Sequence, residues 1–243
     1  MAFEFSQFSQ YLFLASLLIL PGLACLLAFK NKIVDFWQSG IVFLAPVMSI
    51  TIFSFPLYIA YLVKANLVHL SYVFLVILFL SGFFIVYTVR GKQISLHFPK
   101  WKDAGHYILL FCLFIGIVYV TSDAMRINTV FGADSLFHLS RINKIITHGT
   151  AGNFSPLTGN TIEIGKEYAN NFYHLLIATL TVPTGLKAIN IWYFFEYMNL
   201  FLLLALTYHF SKVFFSKHAS FILTCLVFGT TFFLLDYHLD GVS

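Results

Sequence analysis

The chain has 243 residues, of which 59% are hydrophobic and only 10% are charged, and its formal net charge is +4. Soluble domains carry about 25% charged residues, so this composition excludes a soluble protein and predicts a polytopic membrane protein. The Lys and Arg residues are scattered and form no basic block, which excludes a nucleic-acid partner and leaves the lipid bilayer as the expected surroundings.

Apolar runs long enough to cross about 30 Å of hydrocarbon recur along the whole chain. They lie near residues 10–29, 40–63, 67–89, 105–121, 188–210 and 219–235. These runs predict an all-α fold, a polytopic transmembrane helical bundle of about six spans. Pro21, Pro46 and Pro56 fall inside the first two runs, where we expect helix kinks.

The loop charges predict the orientation. Residues 90–103 have the strongest excess of Lys and Arg over acids of any loop, which makes that loop cytoplasmic by the positive-inside rule. Alternation then places the N-terminus and residues 122–187 outside. The apolar piece 172–185 is short and is interrupted by His174 and Pro183, so we expect it to lie at the membrane interface without crossing.

This topology predicts a large outer loop, 122–187, that carries two interfacial helices, 134–148 and 170–182. The last span then delivers the C-terminal segment to the same outer side. We therefore divide the chain in two. Residues 1–104 comprise the first three spans and a cytoplasmic loop, and residues 105–243 comprise the fourth span, the outer loop, spans five and six and the C-terminal motif.

A polar helical pattern, FGADSLFHLSRINKIITHG, occupies residues 131–149. At 100° per residue, His138 and Arg141 fall within about 40° of Asp134, so an acid, an imidazole and a guanidinium share one face. The apolar positions collect on another side, which we expect to rest on the membrane surface or on neighbouring helices: Leu136, Leu139, Ile142 and Ile146. Two interpretations stay open here. Asp134 is either only an N-cap or a reactive group, and His138 and Arg141 are either solvated or part of a site.

A second acidic motif, DYHLD, follows the last apolar run and contains Asp236, His238 and Asp240. Alternation of the spans puts it on the same membrane face as Asp134. We expect Asp236 at the end of the last helix, with Asp240 beyond it in a loop that is free to move. A hydrated terminus is the simpler explanation of these residues, and it too stays open.

Three segments in this order resemble the GT-C membrane glycosyltransferases. They are GADSLFHLSRI in the outer loop, YANNFYHLLIATLTVPTGL as a second loop helix, and a helix pair that ends in the acidic motif. That superfamily includes protein O-mannosyltransferases, oligosaccharyltransferases and lipid A aminoarabinose transferases. The resemblance covers roughly residues 105–243. It implies transfer of a sugar from a polyprenyl-phosphate-linked donor on the extracytoplasmic face of a bacterial cytoplasmic membrane, for envelope glycan or protein glycosylation.

The resemblance also implies roles for individual residues. Asp134 would be the general base or a metal-linked acid, and Asp236 or Asp240 the second acid. A cation would neutralise the departing phosphate, and the candidates are Arg141, Lys144 and a Mg²⁺ or Mn²⁺ ion held by Asp134 and Asp240. His138 and His238 complete the candidate substrate-binding residues.

Two other functions fit the same pattern. In a transporter or flippase of lipid-linked glycans, the acids and His138 would relay protons or grip a headgroup, and Glu196 is the one acid well inside a predicted span. In a non-catalytic membrane subunit, the outer loop would dock a membrane protein partner. The chain ends just after a polar cluster, as the N-terminal part of a longer protein would.

Overall fold

The computed structural model describes residues 5–29, 41–91, 112, 115, 133–152 and 172–240, without the side chains of 5–6, 41–43, 91, 133–135 and 229–240. The described residues are helical and contain no strand beyond one isolated bridge. The helices are α1 (Phe5–Ala28), α2 (Ile41–Leu62), α3 (Leu67–Gly91), α4 (Ala133–His148), α5 (Phe172–Thr184), α6 (Ala188–Phe214) and α7 (Lys217–Asp240).

Four of these helices contain stretches that are long and apolar enough to cross a membrane, namely Gln7–Ala28, Leu44–Leu62, Leu67–Arg90 and Ala188–Phe214. They match four of the predicted runs. Of the other two, residues 105–121 lie outside the described residues except for 112 and 115, which are helical. The run 219–235 falls within α7, where Lys217–Phe228 is a shorter apolar stretch. Six spans therefore remain a prediction, and the described residues account for four.

The surface of α3 explains why such a helix needs a membrane. Aromatic and aliphatic side chains stand exposed along it at a spacing of three or four residues: Tyr72, Val76, Phe79, Phe83 and Tyr87. Exposed apolar surface of this extent is unfavourable in water and is favourable against lipid tails.

The described residues form two compact units, with the boundary inside α6 between Phe195 and Glu196. The first unit contains α1, α3, α4, α5, most of α2 and the first two turns of α6. The second contains the rest of α6 and α7. Its core packs Leu204 and Tyr208 of α6 against Phe228 of α7.

In the first unit, α1 and α2 cross closely at Gly22. The Gly22 N–H donates a 2.7 Å hydrogen bond to the hydroxyl of Ser49, and a Cβ atom at position 22 would overlap the carbonyl oxygen of Ala45. Glycine is required here because the two backbones touch. One turn further along α2, Phe53 stacks on Phe74 of α3 with 4.1 Å between ring centroids.

The end of α4 is fastened to the turn between α2 and α3. Gly149 ends α4 with a left-handed φ of 67°, and its N–H bonds back to the carbonyl of Ile145. The Leu67 N–H then donates to the Gly149 carbonyl at 2.9 Å, and the Ala151 N–H donates to the Ala65 carbonyl at 2.8 Å. Residues 149–151 and 65–67 therefore lie at the same end of the unit.

Helix α5 is in contact with other helices at both its ends. At its start, Phe172 packs edge-on against Tyr58 near the end of α2, 5.9 Å between centroids. At its other end, Gly185 is next to the Gln10 side chain near the start of α1.

Protein covers much of α5. The described side chains from His174 to Leu180 are all buried, so neighbouring protein surrounds a helix that we expected to rest on the membrane. Its interfacial position stays a prediction. The observed bounds of α5, Phe172–Thr184, lie two residues further along than the predicted 170–182.

Candidate functional site

The site is built around two histidines that the sequence separates by 36 positions. Nδ1 of His138 on α4 lies 2.8 Å from Nε2 of His174 on α5, which is a hydrogen-bonding distance. His174 is only 1% exposed, and His138 is half-buried. Since such a bond needs one N–H and one lone pair, the two nitrogens that face each other share a single proton.

A buried cation lies beside this pair. Arg141, one helical turn beyond His138, is 3% exposed, and its Cζ lies 5.8 Å from the centroid of the Phe137 ring. A guanidinium keeps its charge even when buried. The pKa of His174 is lowered to about 3, first by burial and then by the electrostatic effects of Arg141 and His138. His174 is therefore a neutral imidazole at physiological pH.

Aromatic rings from α5 and α6 cover the histidine pair. Trp192 stacks on His138, with 6.0 Å between centroids and 26° between ring planes. Tyr173 meets the edge of Trp192 at 5.4 Å and the edge of Phe195 at 5.6 Å. These rings restrict the plane of the His138 ring and belong to the same compact unit as α4 and α5.

The structure turns inward the face of α4 that carries Arg141. Arg141 and Ile145 are buried, together with Ile142 of the predicted apolar side, whereas Leu136 of that side is 54% exposed. The solvated interpretation of Arg141 is therefore wrong. Two attachments decide the rotation of the helix: the backbone bonds after Gly149 at its end, and the contact of His138 with His174 along its side.

Asp134 lies in the first turn of the same helix, although its side chain is outside the described residues. The helix begins at Ala133, so Asp134 is inside it instead of preceding it as a cap. An acid in the first turn interacts favourably with the positive end of the helix dipole. Asp134 precedes His138 by four positions and Arg141 by seven, so its Cα lies on their face of α4. Lys144, further along α4, is partly exposed.

The C-terminal motif lies on α7, in the other unit. Asp236, His238 and Asp240 are all within this helix, which ends at Asp240. The expectation that Asp240 occupies a free loop beyond the helix is therefore wrong. The side chains of the motif are outside the described residues, and its pairing with Asp134 stays a prediction.

The two acids expected to hold a Mg²⁺ or Mn²⁺ ion, Asp134 and Asp240, have side chains outside the described residues, so this metal site stays a prediction. None of the residues that the structure describes forms a group of three or more His, Cys, Asp or Glu able to hold a metal ion. The groups described on this face of α4 are a guanidinium and an imidazole that is bonded to another imidazole. Arg141 is the candidate cation that the structure describes here.

Sequence reasoning missed His174 as a site residue and treated it only as an interruption of an apolar run. The signal was present in FYHLLIATLTV, where one imidazole stands among apolar side chains. A buried ionisable group needs a partner, so this histidine pointed to a second polar group from elsewhere in the fold.

In the residues that the structure describes, the protein is all-α. Four of its helices are able to cross a membrane, and its first unit contains a cluster of His138, His174 and Arg141. This indicates a membrane protein. Comparison with known proteins found no matching family model, curated protein or solved structure. The resemblance to GT-C glycosyltransferases stays a prediction.

Proposed function

We propose that this chain is an integral membrane glycosyltransferase of the GT-C type, or the N-terminal portion of one. It transfers a sugar from a polyprenyl-phosphate-linked donor to an acceptor on the non-cytoplasmic face of a bacterial cytoplasmic membrane. One observation carries the proposal: buried Arg141 and half-buried His138 lie on the face of α4 that begins with Asp134, and His138 is hydrogen-bonded to buried His174 of α5. Groups of this kind are costly near a membrane unless they serve a polar ligand or reaction.

Each group has a definite task in this proposal. Asp134 accepts the proton of the acceptor hydroxyl as that oxygen attacks the anomeric carbon of the sugar. The bond between this carbon and the phosphate oxygen breaks, and the negative charge of the departing polyprenyl phosphate grows. Arg141 and His138 supply the positive charge and the hydrogen-bond donor that stabilise it. Asp236 or Asp240 is proposed as the second acid.

The proposed topology has about six spans, with α4 and α5 outside. It is supported by the fastening of residues 149–151 to the α2–α3 turn, because both segments fall on the outer side when residues 90–103 are cytoplasmic. It is also supported by the length of α5. At 1.5 Å per residue, its 13 residues extend about 20 Å, short of about 30 Å of hydrocarbon.

The decisive experiment is transfer of sugar from a polyprenyl-phosphate-linked donor in proteoliposomes, with wild type and Asp134→Asn compared. Loss of a general base removes roughly 10²–10⁴-fold in rate. Asn is also compatible with a helix start, so folding should change little. Asn143→Ala, at an exposed position of α4, is the matched control and should keep wild-type activity. Near wild-type transfer by Asp134→Asn would refute the catalytic role.

A lipid-linked glycan flippase is the second candidate, because a hydrogen-bonded imidazole pair can pass a proton between its members. The same proteoliposomes separate the two functions. A flippase would move the labelled donor between leaflets with its sugar still attached, and it would do so in a proton gradient. An enzyme would release polyprenyl phosphate.

A further inference from the structure

We infer that His174 is a positioning residue for His138, which it holds in the tautomer with the proton on Nε2. Through the hydrogen bond between the two rings, His174 Nε2–H donates to Nδ1 of His138. The neutral His138 ring then carries its own proton on its other nitrogen. Nε2–H is consequently the donor that His138 presents.

The hydrogen bond allows two arrangements. In the first, the His174 proton is on Nε2 and its Nδ1 is a bare lone pair. In the second, His138 donates from Nδ1, and the His174 proton must be on its own Nδ1. The two arrangements differ in what they leave buried at His174.

The surroundings of His174 favour the first arrangement. Its Nδ1 is buried and has no hydrogen-bond partner among the residues that the structure describes. An N–H there would be a buried donor without an acceptor, which proteins rarely tolerate, whereas an under-used acceptor is tolerated more often. The proton is therefore on Nε2 of His174, directed at His138.

Neutrality of His174 makes the arrangement persist. Its burial and the nearby charge of Arg141 disfavour a second cation on α5, so the ring does not gain a proton at Nδ1 near neutral pH. Trp192, stacked on His138, restricts rotation of that ring out of the hydrogen bond. His174 thus acts through His138 and needs no ligand contact of its own.

A ligand preference follows, and this step alone rests on the proposed function. With Nε2–H of His138 and the guanidinium of Arg141 on one helix face, the site offers N–H donors and a positive charge without an imidazole lone pair. Phosphate oxygens are acceptors that match such a set. The ligand class is therefore the phosphate of a polyprenyl phosphate.

The test is ¹⁵N NMR of the full chain with labelled histidine in lipid bilayers at pH 7.5. The resonances of His138 are assigned by their loss in His138→Gln. Wild type should show His138 with a protonated Nε2 and a bare Nδ1. A proton on Nδ1 of neutral His138 would overturn the inference, and this measurement requires no variant of His174.

Two variants distinguish positioning from packing. The side chain introduced by His174→Leu fills the space of the imidazole but cannot donate a hydrogen bond. The ¹⁵N resonances of His138 should therefore no longer show a single tautomer. His174→Gln restores an N–H donor at about the position of Nε2 and should restore the pattern. His148→Gln, at an exposed position on α4, is the control and should leave His138 unchanged. An unchanged His138 tautomer in His174→Leu would also overturn the inference.

Titration with polyprenyl phosphate separates this inference from the proposed function. The lipid should shift the Nε2 resonance of His138, and His174→Leu should weaken its binding about tenfold, the equivalent of one hydrogen bond to a charged group. Inorganic phosphate is the second probe, and an equal response to it would assign the site to free phosphate. If the tautomer is as inferred but neither probe shifts Nε2, His174 remains a positioning residue and phosphate recognition fails.

Discussion

Helices α3 and α5 are both apolar, but they differ in what surrounds them. Helix α3 has 25 residues and exposes large aromatic and aliphatic side chains along its length. Helix α5 has 13 residues, and protein covers it from His174 to Leu180. Many large side chains of α3 thus lie on the surface of the protein, whereas those of α5 must be satisfied by their protein neighbours. This is why the lone imidazole of α5 is hydrogen-bonded to His138, while His69 on α3 is exposed.

The largest expected effect is all-or-none and concerns which of the two helices crosses the membrane. In a background without Cys25, Cys112 and Cys225, single cysteines report the side on which each helix end lies. Val63→Cys before α3 and Lys187→Cys after α5 should both react with an impermeant reagent from outside.

Two further cysteines complete this labelling. Lys102→Cys and Lys217→Cys should react only after the membrane is opened, since both belong to predicted cytoplasmic loops. Opposite sidedness of Val63→Cys and Lys187→Cys would mean that α5 crosses or that the predicted span 105–121 does not, and either would contradict the topology. Outside labelling of Lys217→Cys but not of Lys102→Cys would also contradict the topology.

A matched pair of leucines measures the difference in packing. Leu180 on α5 is 0% exposed and Leu80 on α3 is 58% exposed. Leu180→Ala should lower the free energy of unfolding in mixed micelles by about 2–5 kcal/mol, because it leaves a cavity in protein. Leu80→Ala should change it by about 0.5 kcal/mol or less, because lipid or detergent fills the space. Equal losses would show that α5 is not enclosed by protein.

The two histidines give a pH-dependent comparison. The pKa of His174 is lowered to about 3 in the folded protein, against about 6.5 in the unfolded chain. Because the folded pKa is the lower one, this contribution to stability is complete above pH 6.5 and is lost as the pH falls toward 3, at about 1.4 kcal/mol per pH unit. Among the residues that the structure describes, the ionisable groups that act on His174 are Arg141 and His138 of α4.

The measurement is the free energy of unfolding at pH 7.5 and at pH 5. Between these values, wild type should lose about 2 kcal/mol more than His174→Gln, which cannot take up the proton in its unfolded state. His69→Gln, which changes the exposed histidine of α3, should lose as much free energy of unfolding as wild type over this pH range. A pH dependence that is the same in His174→Gln and wild type would show that His174 is not held neutral.

Two glycines give the smallest effects, with opposite signs. Gly149 ends α4 with a φ of 67°, so Gly149→Ala should destabilise by about 1–2 kcal/mol through backbone strain, although its Cβ would meet open space. Gly82 is inside α3 and also has open space around it. Gly82→Ala should stabilise by about 0.5–1 kcal/mol. Destabilisation by both substitutions in unfolding titrations would contradict this account of the α4 end.

The sequence alone determined the positions of the apolar helices. The four helices able to span a membrane lie within about five residues of predicted runs, because hydrocarbon requires a long uninterrupted apolar segment and the sequence shows where one exists. It also determined that Asp134, His138 and Arg141 share a face of one helix, because the period of 3.6 residues is a local property.

Only the tertiary structure decided which face of α4 is buried and that His138 meets His174. Periodicity distinguishes two sides of a helix, but the side that turns inward depends on the neighbours, here α5 and the α2–α3 turn. The sequence of the run that contains His174 fits an interfacial helix and a core helix equally well, since both are short and apolar. Likewise, hydropathy does not show that α7 extends to Asp240. Backbone hydrogen bonds define a helix, and they can continue beyond the end of its apolar run.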